Sequence, residues 1–151
     1  MAAVKLRRTT GKDDEFIALT RHLDAELRGI YGDAQAAYAP HNVVDTETVV
    51  IATIDDVPVG CGCFKRYDDE TVELKRFFVD PERRGAGIGR AVIVELEAWA
   101  REHGYRAAIL ETGVDQLAAI ALYERAGYTR IPLYGPYVGM DLSICMRKQL
   151  A

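Results

Sequence analysis

The segment Val79-Asp80-Pro81-Glu82-Arg83-Arg84-Gly85-Ala86-Gly87-Ile88-Gly89-Arg90 constrains this chain more than any other stretch of it. Ahead of it, Thr71 to Val79 mixes Val, Leu and two Phe with charged residues, the pattern of a strand with one polar edge. Asp80-Pro81 ends that strand, because proline has no N–H for a ladder bond and restricts the residue before it. Behind it, Ile88, Val92, Leu96, Trp99 and Ala100 share one face of a helix that runs to about His103, with Gly104 as its stop signal. Three glycines at alternate positions let the backbone approach a ligand with no Cβ in the way. The helix start adds unpaired N–H groups and a positive dipole end, so the loop suits a pyrophosphate.

Two other phosphate loops fit less well. A dinucleotide fingerprint beginning at Gly85 and Gly87 would need glycine where this chain has Arg90, and no Gly-Lys-Ser/Thr run of a nucleotide-triphosphate loop is present.

The remaining elements follow from periodicity and turn chemistry. Val4 to Thr10 reads as a strand, and Asp13 and Asp14 offer a cap to a helix whose apolar face is Phe16, Leu19, Leu23, Leu27 and Ile30, stopping near Tyr31-Gly32. Thr48 to Ile54 and Val57 to Phe64 form a hairpin about Asp55-Asp56, and a turn at Asp68-Asp69-Glu70 leads into Thr71 to Val79. Further on, Ala107 to Glu111 reads as a buried strand, Leu117 to Ala126 as a helix, and Tyr128 to Leu133 and Ser143 to Lys148 as two last strands. The order β-α-(α)-β-β-β-α-β-α-β-β describes an α/β fold with a mixed sheet.

With 151 residues, 49% of them apolar and 28% charged, the chain can build one core but hardly two, so a single domain over 1–151 is expected. No apolar run approaches the about 18 residues a membrane helix needs, and MAAVKLRRTT lacks the apolar segment of a secretory signal, so no membrane is expected and the expected location is cytoplasmic. Reduced thiols are expected at Cys61, Cys63 and Cys145, and Cys61-Gly62-Cys63 has no second ligand pair at zinc-site spacing, so no metal is assigned. A net charge of -4 with the two signs interspersed argues against nucleic acid as a partner.

Arg84-Gly85-Ala86-Gly87-Ile88-Gly89 matches the Arg/Gln-x-x-Gly-x-Gly/Ala signature of the GCN5-related N-acetyltransferase (GNAT) superfamily in a strand-loop-helix setting. About 35 residues further on, Leu122-Tyr123-Glu124-Arg125-Ala126-Gly127-Tyr128 resembles that superfamily's helix-to-strand segment, and the element order extends the likeness over almost the whole chain. The resemblance implies an N-acetyltransferase with acetyl-CoA as co-substrate, transferring by direct attack to an amine of a small molecule or a protein. It implies that backbone groups of Phe78 and Val79 hold the pantetheine arm and that N–H groups of Gly85, Ala86, Gly87, Ile88, Gly89 and Arg90 cradle the pyrophosphate. Side chains of Arg84 and Arg90 are candidate phosphate contacts. Gln116 stands where many relatives place asparagine, with the same amide one methylene further out, and is a candidate cofactor contact.

Acyl transfer to an amine needs a way to remove the amine's proton and a donor to the departing thiolate. Tyr123 lies where relatives place a tyrosine near the thioester sulfur, and its phenol is the candidate donor. Glu73 and Glu111 compete as general base, with Glu73 preferred. Tyr134 and Tyr137, in the connection before the last strand, resemble the variable wall of an acceptor pocket. His22, His41 and His103 are expected as surface or packing residues. A homodimer through the final strands is compatible with the pattern. The reading from another class is a catalytically silent acyl-CoA sensor, which would keep the same glycine loop.

Overall fold

The computed structural model describes residues 3–42 and 45–151. In chain order these form β1 (Lys5–Thr9), α1 (Asp14–Tyr31), α2 (Gln35–Asn42), β2 (Val49–Ile54), β3 (Val57–Arg66), β4 (Thr71–Val79), α3 (Ile88–Glu102), β5 (Ala107–Gly113), α4 (Leu117–Arg125), β6 (Thr129–Ile131) and β7 (Ser143–Gln149). One seven-stranded sheet runs β1-β2-β3-β4-β5-β7-β6. Every neighbouring pair is antiparallel except β4 with β5, which α3 joins as a parallel crossover.

Side chains alternate across this sheet and divide the apolar residues between two faces. Val50, Val72, Leu74, Leu110 and Met146 meet Val92, Ile93 and Leu96 of α3 on one face. Val49, Ile51, Cys61, Cys63 and Phe78 meet Phe16, Leu19, Leu23 and Leu27 of α1 on the other. The Asp13 carboxylate caps α1, accepting from the Glu15 N–H at 2.9 Å. Ile30, expected on the apolar face of α1, is instead exposed, and Tyr31 packs beside that cluster in the last turn.

Strand β6 is shorter than expected because Pro132, directly after Ile131, has no N–H to continue the ladder. The open edges of the sheet are β1 and this three-residue strand, while β7 lies inside the sheet. Glu97 is buried on α3 and is held by the Tyr128 hydroxyl at 2.9 Å and the Lys148 ammonium at 3.0 Å, so its charge is paired rather than stranded. All three cysteines are free and buried, and burial pushes the Cys63 thiol up to about 12. Among the described residues no helix is long and apolar enough to cross a membrane, and no cluster of His, Cys, Asp and Glu is placed to hold a metal.

The feature that positions the site is a fork between β4 and β5. Their pairing runs only from Thr71↔Ala107 to Leu74↔Leu110, although β4 continues to Val79 and β5 to Gly113. The cause lies on the other side of β4, where Cys61 faces Phe78 but Cys63 faces Lys75, so β4 carries one more residue than β3 over this stretch. Arg76 takes up the excess in the left-handed region at φ 54°, a bulge that turns β4 away from β5.

Gly89, in the first turn of α3, shows how tightly the helices close this layer. A Cβ there would sit 2.7 Å from Leu122 Cδ2 and 2.9 Å from Phe77 Cζ. Gly89→Val should cost about 1–3 kcal/mol by overpacking. A denaturant midpoint equal to that of the parent would show that α3 and α4 yield at this contact.

Candidate active site

Local backbone geometry explains the glycine loop. Gly85 and Gly87 both lie in the left-handed region, at φ 86° and 80°, and among the described residues nothing comes within 4 Å of where their side chains would begin. Ile88 is buried and anchors the start of α3 in the core. The first bond of the helix runs from the Ala91 N–H to the Gly87 carbonyl at 3.1 Å. The amides of Gly85, Ala86, Gly87, Ile88, Gly89 and Arg90 donate to no protein group among the described residues. Six consecutive free donors at the positive end of a 15-residue helix fit a polyanion. Gly89 is the exception within the glycine series, since its missing side chain makes room for Leu122 and Phe77 rather than for a ligand.

The two arginines of the loop divide. Arg84 Nε donates to the Val79 carbonyl at 3.1 Å and its Nη2 pairs with Glu26 at 2.8 Å, so this guanidinium ties the loop to α1. Arg90 is exposed and has no partner among the described residues.

Phe78 and Val79 pair with Cys61 and Gly60 of β3, and the side of β4 toward β5 has no ladder partner there. Where the fork opens, on the α3 face, stands Tyr123 of α4, its ring edge-on to Phe77 at 5.6 Å and to Tyr128 at 6.0 Å. Tyr123 is buried as a residue and its hydroxyl makes no hydrogen bond to the described protein, but the oxygen itself is not sealed from solvent. Burial, reinforced by the negative charge of Glu111, holds its phenol well above the ordinary tyrosine range. At neutral pH Tyr123 therefore keeps its phenolic proton.

The α1 face of the fork is polar. Glu73 is buried, accepts from the Tyr134 hydroxyl at 2.5 Å through Oε2, and has Lys65 at 3.6 Å and Lys75 at 3.9 Å beside Oε1. Lys75 donates to the Tyr137 hydroxyl at 3.0 Å, and burial lowers the pKa of its ammonium. Tyr134 stands just before, and Tyr137 ends, a single turn of 3₁₀ helix, Gly135–Tyr137, that folds the β6–β7 connection back over the sheet. Both phenols are held above their usual range, first by burial and then by the nearby carboxylates.

Glu111 stands across the fork on β5, opposite Cys145 of β7. Its Oε2 accepts from the Ser143 hydroxyl at 2.7 Å, and Oε1 has no partner among the described residues. Burial raises its carboxyl above the usual carboxylate range, with Ser143 and Lys75 offsetting part of the rise. Glu111 lines a small recess with Tyr31, Gly113 and Gln116. There is no room for a side chain at Gly113, because the Tyr31 hydroxyl occupies that space, and Gln116 Nε2 lies 3.0 Å from the same point.

The residues singled out in the sequence thus gather into one region: the loop, then Phe78 and Val79, then Tyr123, with Glu73, Glu111, Gln116, Tyr134 and Tyr137 on the opposite face of the fork. Lys75, Ser143, Tyr31 and Arg76 join them from outside the candidate site residues. Lys75 had a readable signal, since a residue two beyond Glu73 on a strand shares its face. Tyr31 had none, because its partners come from β5 and its sequel. His41 meets the Tyr137 ring at 5.8 Å and His103 accepts from the Trp99 indole at 3.0 Å, both packing roles.

Residues 16–128 match the acetyltransferase (GNAT) family. A protein of Azospirillum brasilense named IAA acetyltransferase is 35% identical, with 99% of this chain and 100% of that protein covered. A Klebsiella pneumoniae protein assigned as an acyl-CoA N-acyltransferase superposes with a TM-score of 0.83 at 34% identity, covering 100% of both chains. A Bacillus anthracis protein assigned as a streptothricin acetyltransferase and solved with acetyl coenzyme A shares the fold at a TM-score of 0.60 and 21% identity, over 68% of this chain and 61% of that one. With the fork, the open amide loop and the family match in agreement, the chain belongs to the acetyltransferase (GNAT) family and is an N-acetyltransferase enzyme.

Proposed function

We propose that residues 1–151 form one acetyl-CoA-dependent transferase that acetylates a primary amine by direct attack within a ternary complex. The observation that carries this reading is the fork, which joins six free amides at one end to a protonated phenol and a carboxylate at the other. Amides from Gly85 to Arg90 hold the pyrophosphate, with the Arg90 side chain as an added cation. Open backbone at Phe78 and Val79 guides the pantetheine arm into the fork, and Gln116 borders its inner end. When bound, acetyl-CoA supplies the activated acyl group. Tyr123 gives its proton to the departing sulfur, and Tyr134 and Tyr137 wall the acceptor side.

For the base, the geometry favours Glu111 over Glu73, the reverse of the ranking drawn from sequence position. Both oxygens of Glu73 are engaged, one by Tyr134 and the other between two lysines. Glu111 keeps one oxygen free, and burial raises its pKa, which makes it a stronger base than an unperturbed carboxylate. Because that pKa is raised, the basic form is present above it and lost as pH falls through it. The acidic limb of kcat/KM should therefore lie above the ordinary carboxylate range. Glu111→Gln should remove this limb and lower kcat by roughly a hundredfold or more, whereas Glu73→Gln should keep the limb. If Glu73→Gln abolishes the limb and Glu111→Gln retains it, the assignment of the two carboxylates is reversed.

A further inference from the structure

The carboxylate assigned above as the base is held by very little. Among the described residues its one hydrogen bond comes from the Ser143 hydroxyl to Oε2 at 2.7 Å. The lysines of that face, Lys65 and Lys75, lie beside Glu73 instead, at 3.6 and 3.9 Å. Oε1 of Glu111 has no partner among the described residues and is not sealed from solvent. A glutamate side chain turns about three bonds, so this single hydrogen bond decides where the free oxygen points.

Strand register brings Ser143 into reach. Glu111 faces Cys145 across β5 and β7, and Ser143, two residues earlier on β7, shares the face of the sheet that Glu111 occupies. The direct partner of Ser143 is Gly113, which has no side chain to compete for the hydroxyl. The space a side chain would take at Gly113 is filled from α1 by the Tyr31 hydroxyl. Ser143 is itself buried, and its N–H donates to the Met140 carbonyl at 3.1 Å to close the turn into β7. Next to it the Leu142 carbonyl accepts from the Val114 N–H at 2.9 Å, so the backbone that carries the hydroxyl is pinned to the end of β5.

We propose that Ser143 is a positioning residue for Glu111: bonded to Oε2, it turns Oε1 toward the attacking amine. The inference rests on the transferase reading above and on Glu111 as its base. In that step an N–H bond of the amine breaks, its electron pair stays on nitrogen, and the proton forms an O–H bond at Oε1. Oε2 is then the carbonyl oxygen of the acid and still accepts from Ser143, so the bond persists through the transfer.

The hydroxyl also favours the charged carboxylate, which offsets part of the rise that burial causes. The other ionisable groups around Glu111 are Lys75 and Glu73 on β4, Cys145 on β7, Tyr123 on α4, Tyr31 on α1 and Tyr137 in the β6–β7 connection. All of them remain in Ser143→Ala. Loss of the hydroxyl therefore has one sign: Glu111 holds its proton more tightly, and its basic form appears only at higher pH.

Ser143→Ala should move the acidic limb of kcat/KM to higher pH and lower kcat by about tenfold on the plateau, where Glu111 is ionised but no longer oriented, with KM for acetyl-CoA unchanged. Ser143→Thr, which restores a hydroxyl, should bring both back. A serine that only packs would change stability or the plateau and leave the limb where it is. Heteronuclear NMR of carboxyl-labelled glutamate reads the same effect in the free protein without turnover, with the Glu111 signal assigned by its absence from Glu111→Gln. Its titration midpoint should rise in Ser143→Ala and return in Ser143→Thr. A limb or a midpoint that stays in place in folded Ser143→Ala overturns the proposal and leaves Glu111 as the base. If Glu111→Gln itself keeps the acidic limb, the base is another group and the proposal falls with that assignment. If no amine is turned over, the transferase reading fails on its own, and the midpoint decides the contact: raised in Ser143→Ala it supports Ser143 as the group that holds Glu111, unmoved it overturns that too.

Discussion

Tyr123→Phe should lower kcat by roughly ten- to a thousandfold while leaving acetyl-CoA affinity nearly unchanged. The change removes one hydroxyl that bonds to no described protein group, so the fold loses no hydrogen bond with it. The ring that packs on Phe77 and Tyr128 stays, as does the backbone bond from Tyr128 N–H to the Tyr123 carbonyl at 3.0 Å. A raised phenol pKa keeps the proton on Tyr123 until negative charge builds on the leaving sulfur. Its contribution therefore falls in the transition state, and kcat should suffer rather than binding. Single-turnover rates under conditions where chemistry limits, together with calorimetric affinities, separate the two. A variant with the parent kcat would make Tyr123 a packing residue and leave protonation of the thiolate to water.

Gly87→Val should weaken acetyl-CoA binding by about tenfold or more, since holding a residue other than glycine in the left-handed region costs on the order of 1–3 kcal/mol and each 1.4 kcal/mol is a factor of ten. A β-branched residue is among the least tolerant of that conformation. No atom of the described residues stands within 4 Å of the new Cβ, so the substitution does not disturb the core. The loop must either carry the strain or rearrange, and rearrangement misaligns the six free amides while the branched side chain stands over them. The thermal midpoint should move little compared with affinity. Unchanged affinity in a folded variant would take this loop out of the binding site.

The strands and helices were legible because most apolar residues obey one of two periods, and because Pro81, Gly104 and Asp13 mark ends that the structure keeps. The fork was not legible. It depends on a register shift between Cys61 and Cys63 that is set by pairing across β3 and β4, and nothing local to Arg76 announces a positive φ. The same limit explains Gly89 and Arg84. Within the motif both looked like parts of a phosphate site, yet one makes room for Leu122 and the other spends its side chain on Glu26, partners distant in sequence. Tyr134 and Tyr137 were readable as a wall, but their bonds to Glu73 and Lys75 required the turn that folds them back. Those bonds in turn engage Glu73, whereas Glu111 Oε1 has no partner among the described residues.

The central claim is tested most directly by mixing the protein with acetyl-CoA and a panel of primary amines, amino acids included, and measuring free coenzyme A alongside N-acetylated product. Thiol release should depend on the amine, match the acetylated product mole for mole, and collapse in Tyr123→Phe. If acetyl-CoA binds but no amine in the panel yields either product, the chain is an acyl-CoA-binding sensor that keeps the glycine loop without the chemistry.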